Sequence, residues 1–227
     1  MYINNKSLKS YDARLLNRTI LPSTFEVRAF WGRNSLSPII NNNVKRRYKK
    51  LLLEIEFKGS PELIETNKSR LIKDITISTM RFNSLPHIYE GNVSTIELMS
   101  KVSGYESHSI DVNVLELEDE RVLEFNNEIK VFLSNTDITP CILELKSTVS
   151  ASNVLVTGLS DDIKIKSITP NKTIRIDGIN GLVLEDGLNN WLNYDSWGFP
   201  KLHPGENNIN ISNANVSAKL VYKARWL

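Results

Sequence analysis

An alternation of apolar and polar side chains with a period of two restricts this chain more than any other feature. In residues 50–58, Leu51, Leu53, Ile55 and Phe57 point one way while Glu54, Glu56 and Lys58 point the other. Successive side chains of a strand lie on opposite faces, so this run is a strand with one buried face. The end of the chain repeats the pattern. Val216, Ala218, Leu220, Tyr222, Ala224 and Trp226 alternate with Ser217, Lys219, Lys223 and Arg225. Shorter runs lie at 107–117, 129–133, 141–146, 162–168, 173–177 and 207–212. Turn formers separate them, as in Thr169-Pro170-Asn171 and Asp177-Gly178-Ile179-Asn180-Gly181. Many short strands with such punctuation predict a mostly β chain built as a sandwich or barrel.

One helix interrupts the strands. Ser60-Pro61-Glu62 supplies a capping hydroxyl, a proline at the first helical position and an acid in the first turn. Leu63, Ile64, Leu71 and Ile75 then form the expected apolar stripe, with the helix running to about residue 73. A second, shorter helix is expected over 11–16 behind Ser10. The acidic stretch 116–124 marks the expected boundary between an α+β domain, 1–118, and a β-sandwich, 119–227. The 227 residues suit two such domains.

Composition sets limits on partners and compartment. At 41% apolar the chain can build a core, and its net charge of +2 gives no field for nucleic acid or a membrane surface. No apolar run approaches the roughly 20 residues that span a bilayer, so no membrane insertion is expected. A single cysteine, Cys141, forbids an intrachain disulfide, and no secretory signal is visible at the N-terminus. Folding in a reducing cytoplasm is therefore the expectation.

Residues that could carry chemistry are sparse. His87, His108 and His203 lack metal-ligand spacing, and no phosphate-binding or nucleophile motif is present. Cys141, on a strand with Leu143 and Leu145, reads as a small core residue. The acids Asp161, Asp162, Glu185, Asp186 and Asp195 read as solvated turn residues rather than a glycosidase pair. No enzyme, metal or cofactor is expected. Two segments remain as candidate surfaces. The basic run Lys45, Arg46, Arg47, Lys49 and Lys50 reads first as the solvated start of a strand, then as an electrostatic assembly contact, and last as a phosphate-backbone contact. Glu54, Glu56, Glu62 and Glu65 nearby weaken the last, so no nucleic acid partner is expected. The aromatic group Trp191, Tyr194, Trp197 and Phe199 reads as a plug at one end of the sandwich, as a protein interface, or as a stacking platform for host cell-wall glycans.

The C-terminal segment carries a more specific pattern. Phe199-Pro200-Lys201-Leu202-His203-Pro204-Gly205-Glu206-Asn207 leads into a short strand, and the chain ends Tyr222-Lys223-Ala224-Arg225-Trp226-Leu227. A Phe-Pro-x-Leu-x-Pro-Gly-x-Asn stretch followed by a terminal Tyr-x-x-Arg-aromatic-Leu resembles the distal tail (Dit) proteins of long-tailed phages. The opening Tyr2-Ile3-Asn4-Asn5-Lys6, the strand 51–57 and the Lys58-Gly59 turn before a helix resemble the same family. The resemblance implies an N-terminal domain that forms a ring, generally a hexamer, between the tail tube protein and the tail-associated hub protein. It also implies a C-terminal galectin-like β-sandwich that often carries receptor-binding or baseplate proteins, the last residues returning to the N-terminal domain in some relatives. The location implied is the virion tail tip or baseplate, assembled in the host cytoplasm. No catalytic residue is carried over. The short chain leaves little room for sugar-binding insertions, which favours a scaffold over an adhesin.

Overall fold

The computed structural model describes residues 1–23, 25–30, 39–46 and 48–226, with 25–30 and 39–46 described by their backbone alone. The chain divides into two compact units, Met1–Leu117 and Glu118–Trp226.

The first unit contains β1 (Tyr2–Ile3), β2 (Lys6–Ser7), β3 (Ala13–Leu21), β4 (Phe25–Phe30), β5 (Ile39–Arg46), β6 (Lys49–Lys58), helix α1 (Pro61–Ile75), β7 (Ile77–Arg81), β8 (Ile88–Val102) and β9 (Tyr105–Leu117). Its main sheet runs β2-β1-β7-β8-β9-β6-β3, every neighbouring pair antiparallel. Strands β4 and β5 form a separate two-stranded ribbon. The alternation in β6 buries Leu51, Leu53, Ile55 and Phe57, as the pattern predicts. Ile110, Val112 and Val114 of β9 join them, and α1 closes the same core.

Helix α1 starts where expected: the Ser60 Oγ accepts from the Leu63 N–H at 3.3 Å, with Pro61 in the first turn. Its buried stripe is Ile64, Asn67, Leu71 and Ile75, whereas Leu63 is 43% exposed. The buried polar Asn67 is satisfied, its Nδ2 donating to Asp12 Oδ2 at 3.0 Å and its Oδ1 accepting from Arg70.

The helix expected over 11–16 is not formed. Ser7, not Ser10, caps a single 3₁₀ turn at Leu8–Tyr11. Asp12 ends the turn in the left-handed region at φ 47°, a conformation Asp tolerates better than most residues. The chain then enters β3, which pairs along β6. A ladder of eight pairs outweighs a weak local helix signal, and a bulge between Leu15 and Asn17 interrupts the alternation that would have revealed the strand.

The second unit contains β10 (Arg121–Asn126), β11 (Glu128–Leu133), β12 (Thr139–Ser147), β13 (Ala151–Thr157), β14 (Ile163–Ile168), β15 (Thr173–Asp177), β16 (Leu182–Glu185), β17 (Leu188–Asn189), β18 (Lys201–Leu202), β19 (Gly205–Ile211), β20 (Val216–Tyr222) and β21 (Arg225–Trp226). One sheet runs β10-β20-β12-β15-β16-β17, with β18 also on β12; the other runs β11-β19-β13-β14. Leu143, Leu145, Ile174, Ile176 and Leu220 of the first sheet share one core with Val131, Val154, Val156, Ile165 and Ile209 of the second. Two antiparallel sheets joined by one core form a sandwich.

Candidate interaction surfaces

The terminal motif is held by buried polar contacts. Strand β18 lies on the start of β12, and the Cys141 N–H donates to the Pro200 carbonyl at 3.1 Å. The Pro204-Gly205 turn is closed by Asn207, which is buried. Its Oδ1 accepts from the His203 N–H at 2.8 Å, and its Nδ2 donates to the His203 carbonyl at 2.8 Å and the Val131 carbonyl at 3.3 Å. One amide side chain thus clamps a turn to a strand 76 residues away. Further on, the Arg225 N–H donates to Thr139 Oγ1 and its carbonyl accepts from Asn135 Nδ2. The Trp226 indole N–H donates to Glu118 Oε1 at 3.3 Å.

The structure brings three of the four aromatic candidates together. Tyr194 and Phe199 stack with centroids 5.9 Å apart, and Trp191 stands edge-on to both at 5.8 and 5.6 Å. Tyr194 is buried, its hydroxyl donates to the Gly198 carbonyl, and burial, helped by the charge of Asp161, pushes its pKa up to about 12. Trp191 keeps 42% of its surface exposed. Trp197 stands apart from this cluster, with its indole fully exposed.

Of the basic run, only Lys49 and Lys50 have described side chains. Lys45 and Arg46 are described by backbone alone, and Arg47 lies outside the described residues. Lys49 is buried and forms an ion pair with Glu116, which also faces His87 Nδ1 at 2.5 Å and accepts from the Tyr89 hydroxyl at 3.1 Å. Burial pushes the Glu116 carboxyl up, but the hydrogen bonds from Lys49 and His87 outweigh it and hold the group below its usual range. Lys50 alone of the described side chains in the run is exposed.

A second ionic node was not legible in the sequence. Glu106, 3% exposed, accepts from Lys68 of α1 at 2.8 Å and Lys101 of β8 at 3.0 Å, and His108 Nε2 lies 2.7 Å from it. The Lys68 hydrogen bond leads in holding its pKa down to about 2, against the opposing effect of burial, with His108 and Lys101 adding to it. The node ties the helix to the β8–β9 hairpin. Cys141 is fully buried, and desolvation pushes its thiol far up. Among the described residues, no group of three or more His, Cys, Asp or Glu could hold a metal.

The second half of strand β8 lacks an outer partner among the described residues. Strand β8 pairs with β9 along its length but with β7 only from Ile88 to Asn92. Beyond the Val93 N–H, which donates to the Thr76 carbonyl, the outer edge over 94–102 meets no strand among the described residues. Leu98, Met99 and Val102 are exposed there.

No family model and no curated protein matches the chain by sequence. Its fold, however, has solved counterparts. The chain is built as a two-unit, mostly β protein with a single α-helix among the described residues, and this is the fold of phage tail-tip proteins of the Dit type. The Dit protein of phage SPP1, described as a paradigm of the hub adsorption apparatus in phages infecting Gram-positive bacteria, superposes with a TM-score of 0.78 at 10% identity, covering 100% of this chain and 98% of that one. A chain of the phage P2 baseplate in its activated conformation with calcium gives a TM-score of 0.50 at 11% identity, covering 95% and 92%; the strontium form gives 0.51.

Proposed function

We propose that this chain is a structural adaptor of a phage tail tip or baseplate. Copies form a ring, hexameric by analogy, that joins the tail tube protein to the tail-associated hub protein. The first unit supplies the ring, and the sandwich carries peripheral host-recognition proteins. The observation that carries this reading is the full-length likeness to the SPP1 Dit fold, which spans both units and leaves no part of the chain over.

The open edge of β8 supports the ring. An edge strand with unpaired backbone groups and exposed apolar side chains is a natural joint, and a heterologous contact that closes generates a ring. Mixing the purified chain with the tube and hub proteins of its own phage tests the reading. The expected result is a stable complex containing all three. A chain that binds neither neighbour overturns it.

A further inference from the structure

We propose that Asn180 is a latent site of spontaneous deamidation, held closed in the folded sandwich by Asp177. Asn180-Gly181 is the one Asn-Gly pair in the chain, and it lies in the turn between β15 and β16. An Asn followed by Gly is chemically labile because no Cβ shields the Gly nitrogen, the nucleophile of the reaction. That nitrogen loses its proton to solvent base and attacks the Asn Cγ. The Cγ–Nδ2 bond breaks, and ammonia leaves with a proton taken from water. Water then opens the succinimide ring at either carbonyl, giving Asp or isoaspartate. Solvent is the only co-reactant, and Asn180 is exposed to it.

The fold ties down both reacting groups. The Gly181 N–H donates to the Asp177 carbonyl at 2.9 Å, which pins the nucleophile. The Asn180 Nδ2 donates to Asp177 Oδ2 at 3.1 Å, and the Asn180 backbone N–H donates to Asp177 Oδ1 at 2.9 Å, so the carboxamide is turned toward Asp177. Asp177 itself is 4% exposed. Its Oδ1 also accepts from the Ile179 N–H at 2.9 Å, and Arg175 lies 3.5 Å from its Oδ2. Burial pushes the Asp177 carboxyl up, but the hydrogen bonds from Asn180 and Ile179 outweigh it and hold the group below its usual range. At neutral pH it therefore has no proton to give a leaving amine.

The base of the turn is wedged in place. The Gly178 N–H donates to the Cys141 carbonyl at 2.9 Å, and a Cβ on Gly178 would meet the Pro200 and Cys141 carbonyl oxygens at 2.3 and 2.6 Å. Gly181 sits at φ 68° with the Phe199 ring beside it. Succinimide formation therefore requires the turn to open, and its rate is the intrinsic Asn-Gly rate multiplied by the fraction of time the turn is open. Isoaspartate lengthens the main chain by one carbon and removes the amide donor to Asp177. A single event thus unlatches the turn from the Phe199-Pro200 segment that leads into β18.

The test incubates the full chain in mildly alkaline buffer, folded and unfolded in urea, and follows position 180 by peptide mapping that separates Asn, Asp and isoaspartate. In urea, Asn180 is expected to be the fastest-modified asparagine. In the folded chain it should react at least about tenfold more slowly. Asp177→Asn should restore most of the lost rate, with thermal melting used to confirm that the variant is folded. Amide hydrogen exchange at Gly181 gives a second reading that needs no substitution. The same opening frees the same N–H, so its slowing relative to the unfolded chain should match that of deamidation within about threefold. Equal deamidation rates in the folded and unfolded chain would overturn the inference. So would a folded Asp177→Asn variant that keeps the wild-type rate, or a Gly181 amide that exchanges freely while deamidation stays slow. If the variant does not fold, the two wild-type rates decide.

Discussion

Asn207 shows how far a residue can be read from sequence. Its place in the Pro-Gly-x-Asn stretch is plain, but its third partner, the Val131 carbonyl, is 76 residues upstream, and only the folded sheet brings the two together. Asn207→Ala removes an amide and leaves buried backbone groups unpaired, which should cost about 2–3 kcal/mol. Urea unfolding of the wild type and variant measures it; a loss below about 0.5 kcal/mol contradicts the clamp. Lys49 gives the opposite lesson. In the sequence it belongs to a run of cations, yet its charge is spent on Glu116, on the far end of β9. Glu106 was invisible because its partners Lys68, Lys101 and His108 come from three elements. Its depressed pKa carries a sign. The unfolded carboxylate binds a proton near pH 4.5 and the folded one near 2, so the stabilisation is complete above 4.5 and is lost as pH falls toward 2. Urea midpoints measured across that window should fall steeply for wild type and less so for Glu106→Gln, which should also be less stable by about 3 kcal/mol at neutral pH. Parallel pH profiles for the two proteins refute the role given to this carboxylate.

At the scale of elements, strands with one dry and one wet face were legible and the others were not. Strand β6 and strand β20 show clean alternation because each has a single buried side. Strand β8, fifteen residues long, escaped because its second half is exposed on both faces and carries two register shifts. The helix was legible from its cap and from Ile64, Leu71 and Ile75 of its stripe, but Leu63, counted with them, lies outside the buried face. Leu71 is fully buried and Leu63 is not. Leu71→Ala should therefore cost about 3 kcal/mol and Leu63→Ala less than about 1 kcal/mol, as read by denaturant midpoints. Equal losses would place the helix on the wrong face. The aromatic group was found as a cluster, but not its division into a packed trio and an exposed Trp197, because packing order within nine residues is decided by the hydrogen bonds that tie the segment to β14.

For the whole molecule, the last segment and the order of elements pointed to the Dit family before any coordinates did, and the full-length superposition on SPP1 Dit gives that fold. The open edge of β8 was not legible, since an edge is defined by the neighbour it lacks. If that edge joins copies, Leu98→Lys should break the ring while leaving the melting temperature within about 2 °C, because the side chain is already exposed. Intact rings in that variant would move the joint elsewhere. Negative-stain imaging of the purified wild-type chain, backed by sedimentation across a wide concentration range, tests the central claim most directly. Closed rings with a central opening are expected, alone or when tube protein is added. A monomer at every concentration that stays a monomer in the presence of tube protein would contradict it.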